Sequence, residues 1–244
     1  MLDPDLTDEA LWALVPTLSF EDIPALLEHR AAKEQHILKV LTRPDVPESF
    51  MGLIARSRWA GNLRVQFALV NHPKTPSGDA LNLAKFLFWR DLNHVCQNFK
   101  LSSEVRHQAE SVLFMRLPAM ALGEKIGLAR LCAGQVLKTL RADKDPKVIQ
   151  ALLENPRLVE EDVLYLVSQP RTVAPVLETV ARDPKWSARR EVRIALLRNP
   201  RTPLAAALAF VSSLTALEAR GLMDDPKVPL AIRRMLQTRV GRSR

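Results

Sequence analysis

From residue 46 onward, apolar residues recur at the spacing of a helix face, in short blocks separated by two to five polar or proline-rich residues. PESFMGLIARS, WAGNLRVQFALV and PSGDALNLAKFLF each carry such a stripe, and Leu204, Leu208 and Val211 form another near the end of the chain. No segment alternates apolar and polar residues over the length of a strand, so the pattern predicts an essentially all-α chain.

One phrase punctuates these blocks. ALLRNPRTP at 195–203 reappears as ALVNHPKTP at 68–76 and, more loosely, as ALLENPRLV at 151–159. It reads as a corner between two helices. Ala195–Leu197 end the first helix, Asn199 suits a left-handed residue just past its C-terminus, and Pro200 stops it. Thr202 then offers an N-cap oxygen, as Thr75 does, with Pro203 at the first position of the next helix. Asp145-Pro146, Asp183-Pro184 and Asp225-Pro226 are expected to open helices in the same manner, with aspartate as cap.

Sliding the chain by 127 positions aligns 65–106 with 192–233 without a gap, with identities including Ala68/Ala195, Thr75/Thr202, Leu87/Leu214 and Arg106/Arg233. That is the mark of duplication. Pro73, Pro156 and Pro200 lie 83 and 44 residues apart, which suggests a unit near 42 residues and hence a helical solenoid. Trp59 precedes VQFALV as Trp186 precedes VRIALL, so tryptophan belongs to the repeat and is expected to wedge between helices. The chain, 1–244, is taken as one domain: capping helices over 1–45, with Thr7 and Ser19 as N-caps, repeats over 46–240, least regular at 108–142, and a frayed tail at 241–244.

DPKVIQALLENPRL, WSARREVRIALLRNPRTP and DDPKVPLAIRRML together resemble bacterial HEAT-like repeats, within them the leucine-rich repeat variant type. The resemblance is good over 145–235, fair over 46–107 and weak elsewhere. It implies a right-handed α-solenoid of short helix pairs with a concave face, and it implies no reaction. One member type carries a cysteine-ligated iron–sulfur cluster ahead of its repeats. This chain lacks such a cysteine set, so no cofactor is expected.

Composition agrees with a corner-rich helical chain: 17 Pro against 8 Gly, 47% hydrophobic and only 5% aromatic. Cys96 and Cys132 form no pairing motif and read as reduced, buried thiols. The acidic, proline-broken N-terminus does not resemble a signal peptide, and no apolar run spans a membrane, so a cytoplasmic protein is expected.

Charge is uneven. Residues 1–100 hold 11 Lys+Arg and 12 Asp+Glu, leaving 24 and 15 for the rest, so the net charge of +8 resides in the C-terminal half. Arg182, Lys185, Arg189, Arg190, Arg193, Arg198 and Arg201 form its densest run, with Arg189, Arg190 and Arg193 inside one arc of roughly 100° on a helix. This run is the candidate partner-binding patch, either for phosphates or for an acidic protein surface.

Catalytic signatures are absent: no nucleophile elbow, HExxH, phosphate loop or dinucleotide fingerprint occurs. His94, Cys96 and His107 are poorly spaced for a metal, and Glu104-x-x-His107 is a single copy of a motif that works in pairs. Two functions follow as expectations. The first is a non-catalytic scaffold binding a protein partner. The alternative is a nucleic-acid-binding solenoid, in the extreme a repair protein similar to HEAT-like DNA glycosylases, for which Trp89, Arg90 and Asp91 are the residues to inspect.

Overall fold

The computed structural model describes residues 2–242. Among them 18 α-helices alternate with tight corners and there is no strand, so the chain is all-α. The expected frayed tail falls partly outside: residues 243–244 are not among those described, whereas the backbone of 241–242 completes the last helix.

Contacts gather into two compact units, one ending at Ala119 and the other starting at Met120. The first holds α1 (Asp8–Leu14), α2 (Ile23–Glu28), α3 (Glu34–Leu41), α4 (Glu48–Ala55), α5 (Leu63–Val70), α6 (Ser77–Ala84), α7 (Trp89–Gln97) and α8 (Ser103–Arg116). In the second are α9 (Leu122–Leu131), α10 (Gly134–Leu140), α11 (Pro146–Leu153), α12 (Glu160–Ser168), α13 (Ala174–Arg182), α14 (Pro184–Ser187), α15 (Arg190–Arg198), α16 (Leu204–Ser213), α17 (Ala216–Met223) and α18 (Leu230–Arg242).

Helices this short are marginal alone, so packing has to hold them. In the first unit α3 packs on α5, α2 on α4, and α4 and α8 on α6. In the second α9 packs on α11, α11 on α13, α12 on α15, and α16 on α18. Along much of each unit, alternate helices are thus neighbours, and α12 meets α15 past the single turn α14. Their apolar stripes meet in cores of Leu26, Ile37, Met51, Ile54, Leu69 and Leu92 in one unit and Leu128, Leu152, Leu177, Trp186 and Leu196 in the other, all essentially buried.

Short helices also have a hydrogen-bonding problem. The last four carbonyls of any helix lack intrahelical partners, which is half the carbonyls of an eight-residue helix. Side chains about one helix pair further along supply donors to carbonyls in the last turns and in the corners just past them. Arg43 donates to Leu18 O (2.7 Å), Lys74 Nζ to Pro44 O (2.8 Å), Arg116 to Leu87 O (2.7 Å) and Asn155 Nδ2 to Ala129 O (2.7 Å). The two repeat tryptophans do the same: the indole N–H of Trp59 reaches Leu27 O at 2.9 Å and that of Trp186 reaches Leu153 O at 3.1 Å. These donors and acceptors are 25 to 33 residues apart.

That separation is shorter than the 42 residues suggested by the prolines, and Pro156 and Pro200 enclose α12, α13, α14 and α15, more than one helix pair.

The corner chemistry also differs from expectation. Asn199 is extended (φ −80°, ψ 120°), and no non-glycine residue among those described has a positive φ. Its amide instead spans two layers. Nδ2 donates to Val167 O (2.7 Å) and Gln169 O (3.1 Å), while Oδ1 accepts from Arg201 N (3.0 Å). Thr202 is not the N-cap, for its hydroxyl donates backwards to Leu196 O at 2.5 Å, as Thr75 does to Leu69 O at 2.6 Å. Pro203 and Pro76 occupy the N-cap positions themselves. Threonine therefore closes the helix behind it; a proline cap leaves the new helix without a side-chain bond.

Asp145 and Asp183 do cap helices, accepting from the N–H of Lys147 and Lys185. Asp225 accepts from Lys227 N but opens a turn, and α18 begins only at Leu230. Thr7 caps α1, whereas Ser19 makes no side-chain capping bond. Gly134 (φ 57°) allows the two-residue link from α9 to α10, a conformation costly for any residue with a Cβ.

Candidate functional site

The basic run spreads over the end of α13, α14, α15 and the corner after it. Most of its charge is already balanced. Arg182 pairs with Glu178 (2.5 Å), Arg189 with Glu160 (2.5 Å), Arg190 with both Glu191 (2.7 Å) and Glu218 (2.8 Å), and Arg198 with Asp225 (2.7 Å). Arg189 and Arg190, neighbours in one arc on paper, turn to opposite sides, towards α12 and α17. Lys185 and Arg189 flank the buried Trp186 ring, 4.4 and 4.8 Å from its centroid. Among the described residues the Arg193 side chain makes only a long bond, to Ser213 Oγ (3.4 Å).

The partner Glu218 has a sharply defined state. Thr215 and Glu218 form a capping box at the start of α17, with Thr215 N–H donating to Oε2 (2.9 Å) while Arg190 Nε donates to Oε1 (2.8 Å). The Thr215 N–H first, then Arg190 and the Thr215 hydroxyl, hold the carboxyl down to about 2, against 4.5 for an ordinary glutamate. A carboxyl depressed by folding stabilises the fold fully above its unfolded pKa, and that contribution drains away as the pH falls through the folded value. A carbon-detected NMR titration should therefore place the Glu218 inflection near pH 2, and Arg190→Ala should move it upward. An inflection near 4.5 in the unmodified protein would show that the box does not form.

Arg201 belongs to a different constellation. It sits in the same slot of its corner as Arg171, each following a proline and preceding a threonine, and with Arg141 and Lys144 it lines a cleft. Sequence reasoning missed these three. Only Arg171 carried a legible signal, the Pro-Lys or Pro-Arg step that recurs at Pro73, Pro146, Pro156, Pro170, Pro184, Pro200 and Pro226; Arg141 and Lys144 follow no proline.

A second concavity lies in the first unit. Leu38 and Leu41 of α3, Leu63 and Phe67 of α5 and Phe88 at the N-cap of α7 enclose about 730 Å³. Leu63 and Phe88 are 43% and 59% exposed, well above what a closed core permits. Asp91 and His72 stand at its edge. Burial pushes the Asp91 carboxyl up and the His72 imidazole down. His72 Nδ1 accepts from Lys74 N (3.1 Å), repeating the turn that Asn199 makes 127 positions later.

The triplet noted for repair chemistry is divided. Asp91 faces this groove, while the Arg90 guanidinium lies 5.2 Å from the Trp89 ring centroid. Among the described residues no three His, Cys, Asp or Glu side chains cluster as metal ligands. His94 stacks edge-on against Phe67 (5.5 Å), and His107 faces Glu110 at 4.0 Å. Burial pushes both Cys96 and Cys132 up to about 12, so neither is a thiolate near neutral pH. No described helix is long and apolar enough to cross a membrane.

Compared with protein-family models, with curated proteins and with solved structures, the chain matches none of them.

Proposed function

We propose that this chain is a helical-repeat binding module, a HEAT-like α-solenoid without catalysis of its own, that takes an apolar segment of a partner protein in the groove over α3, α5 and α7. Stacking of alternate helices and the interlayer carbonyl ladder support the solenoid reading. The groove is the observation that carries the function. Aromatic and aliphatic side chains held on rigid helices and left open to water are the usual receptor for an amphipathic segment.

The edge of the groove narrows the partner's chemistry. Asp91 is half-buried; His94 acts on it from one helical turn away, and among the described residues no lysine or arginine forms an ion pair with it. Aliphatic side chains followed by a lysine or arginine would fill the groove and pair the carboxylate.

Selection from a displayed peptide library on the full-length protein tests this. Enriched peptides should combine aliphatic residues at helical spacing with a basic residue. Their binding should be lost in Leu63→Glu/Phe88→Glu and weakened in Asp91→Asn. Peptides that bind the double variant as well as the unmodified protein would rule the groove out, as would a selection that enriches nothing.

The nucleic-acid alternative draws less support, because carboxylates neutralise four arginines of its proposed patch.

A further inference from the structure

The second unit contains a cleft of about 520 Å³ built by three corners: 141–144 between α10 and α11, 169–173 between α12 and α13, and Arg201 between α15 and α16. Arg141, Lys144, Arg171 and Arg201 bring four cations to it, against one acid, Asp143. That acid is itself 3.7 Å from Lys125.

Arg141 is the fixed member. It pairs with the nearly buried Asp162 at 2.7 Å, and its guanidinium carbon lies 3.7 Å from the Tyr165 ring centroid, so its direction is set by contacts on two sides. Its Nε is enclosed without a hydrogen-bond partner. The other three are uncompensated. Among the described residues no carboxylate lies within ion-pairing distance of Lys144, Arg171 or Arg201, and the Arg201 guanidinium makes only a 3.4 Å bond to Arg171 O. Arg182, Arg189, Arg190 and Arg198 of the same unit pair with carboxylates, whereas the corners turn three unpaired cations into one concavity.

We infer that this cleft binds a compact oligophosphate, a nucleotide or an inorganic polyphosphate, through Arg141, Lys144, Arg171 and Arg201. Concave walls of one sign focus the field and concentrate anions, and guanidinium forks match phosphate oxygens. The volume falls in the range of small-ligand sites, about 300–1,000 Å³. A nucleic-acid backbone would need a continuing track of free cations, whereas Arg182, Arg189, Arg190 and Arg198 in the preceding stretch are all paired. Tyr165, 44% exposed and with Arg141 over its ring, borders the cleft, so a base that packs beside the pair would separate the two sources of phosphate.

Isothermal titration calorimetry on the full chain with sodium tripolyphosphate, metal-free ATP and single-stranded DNA of roughly 20 nucleotides decides the matter. Both compact phosphates should bind, and Lys144→Ala/Arg171→Ala, which touches exposed residues and should leave far-UV circular dichroism unchanged, should weaken them at least tenfold (about 1.4 kcal/mol). Arg234→Ala, an exposed cation elsewhere, should change neither. ATP binding tighter than tripolyphosphate assigns the site to nucleotides, and equal binding assigns it to phosphate alone. Absence of heat with both, equal affinity in the double variant, or DNA binding tighter than tripolyphosphate would overturn the proposal.

Discussion

Replacing Trp186 by alanine is expected to destabilise the second unit by about 3–5 kcal/mol, the range for a fully buried aromatic truncated to a methyl. The ring is 1% exposed and its N–H caps Leu153 O of α11, so the variant opens a large cavity and strands a carbonyl together. Trp186→Phe should recover most of the packing and leave a residual loss of about 1–2 kcal/mol from the uncapped carbonyl. Trp59→Ala, at the same place in the other copy, should cost less, because that ring is only partly buried although its N–H makes the equivalent bond. Urea unfolding followed by circular dichroism compares the three. Equal costs for the two alanine variants would show that burial of the ring is not the dominant effect.

Asn155 should be the most costly polar substitution. It is fully buried, donates to Ala129 O (2.7 Å) and Cys132 O (2.9 Å), and accepts from Arg157 N (2.8 Å). Removing an amide that serves two buried carbonyls and a part-buried N–H should cost about 2–4 kcal/mol in Asn155→Ala. Asn155→Asp is the sharper test, since it keeps the shape and replaces the donating NH2 with an oxygen facing two carbonyls. The protonated acid can still donate once; the carboxylate cannot. Folding must therefore raise the new acid's pKa, so the variant's stability is greatest below the unfolded aspartate value of about 3.9 and falls as the pH rises from there through the raised folded value. At pH 7 Asn155→Asp should be less stable than Asn155→Ala, and in acid the order should close or reverse. A pH-independent difference would mean that the amide's donors do not matter.

These two residues show the difference between a corner as written and a corner as built. Helix-period stripes, prolines and Asp-Pro steps are local, and they placed most helices: Asp145-Pro146 and Asp183-Pro184 start helices, and ALLRNP ends one. The role of asparagine was misjudged for a physical reason. Left-handed capping is a choice available within one turn, while the bonds Asn199 makes go to carbonyls 30 and 32 residues away. Nothing near it in sequence announces them. Threonine was misread likewise, because its hydroxyl serves either helix of a corner, and only backbone direction decides that Thr202 turns back to Leu196.

Charge gave the same lesson. The run at 182–201 stands out in a linear count because Glu160, Glu218 and Asp225, which neutralise Arg189, Arg190 and Arg198, lie 27 to 29 residues distant on other elements. Arg141, Lys144 and Arg171 are too dispersed to register as a cluster, yet three corners bring them to one cleft. By itself, then, the sequence determined what short-range sterics and apolar periodicity control: an all-helical chain, its breaks, its duplicated segment and its repeated tryptophan. The tertiary structure alone decided which carbonyls each side chain caps, which arginines stay free and where the open groove lies, because each depends on residues about one helix pair apart.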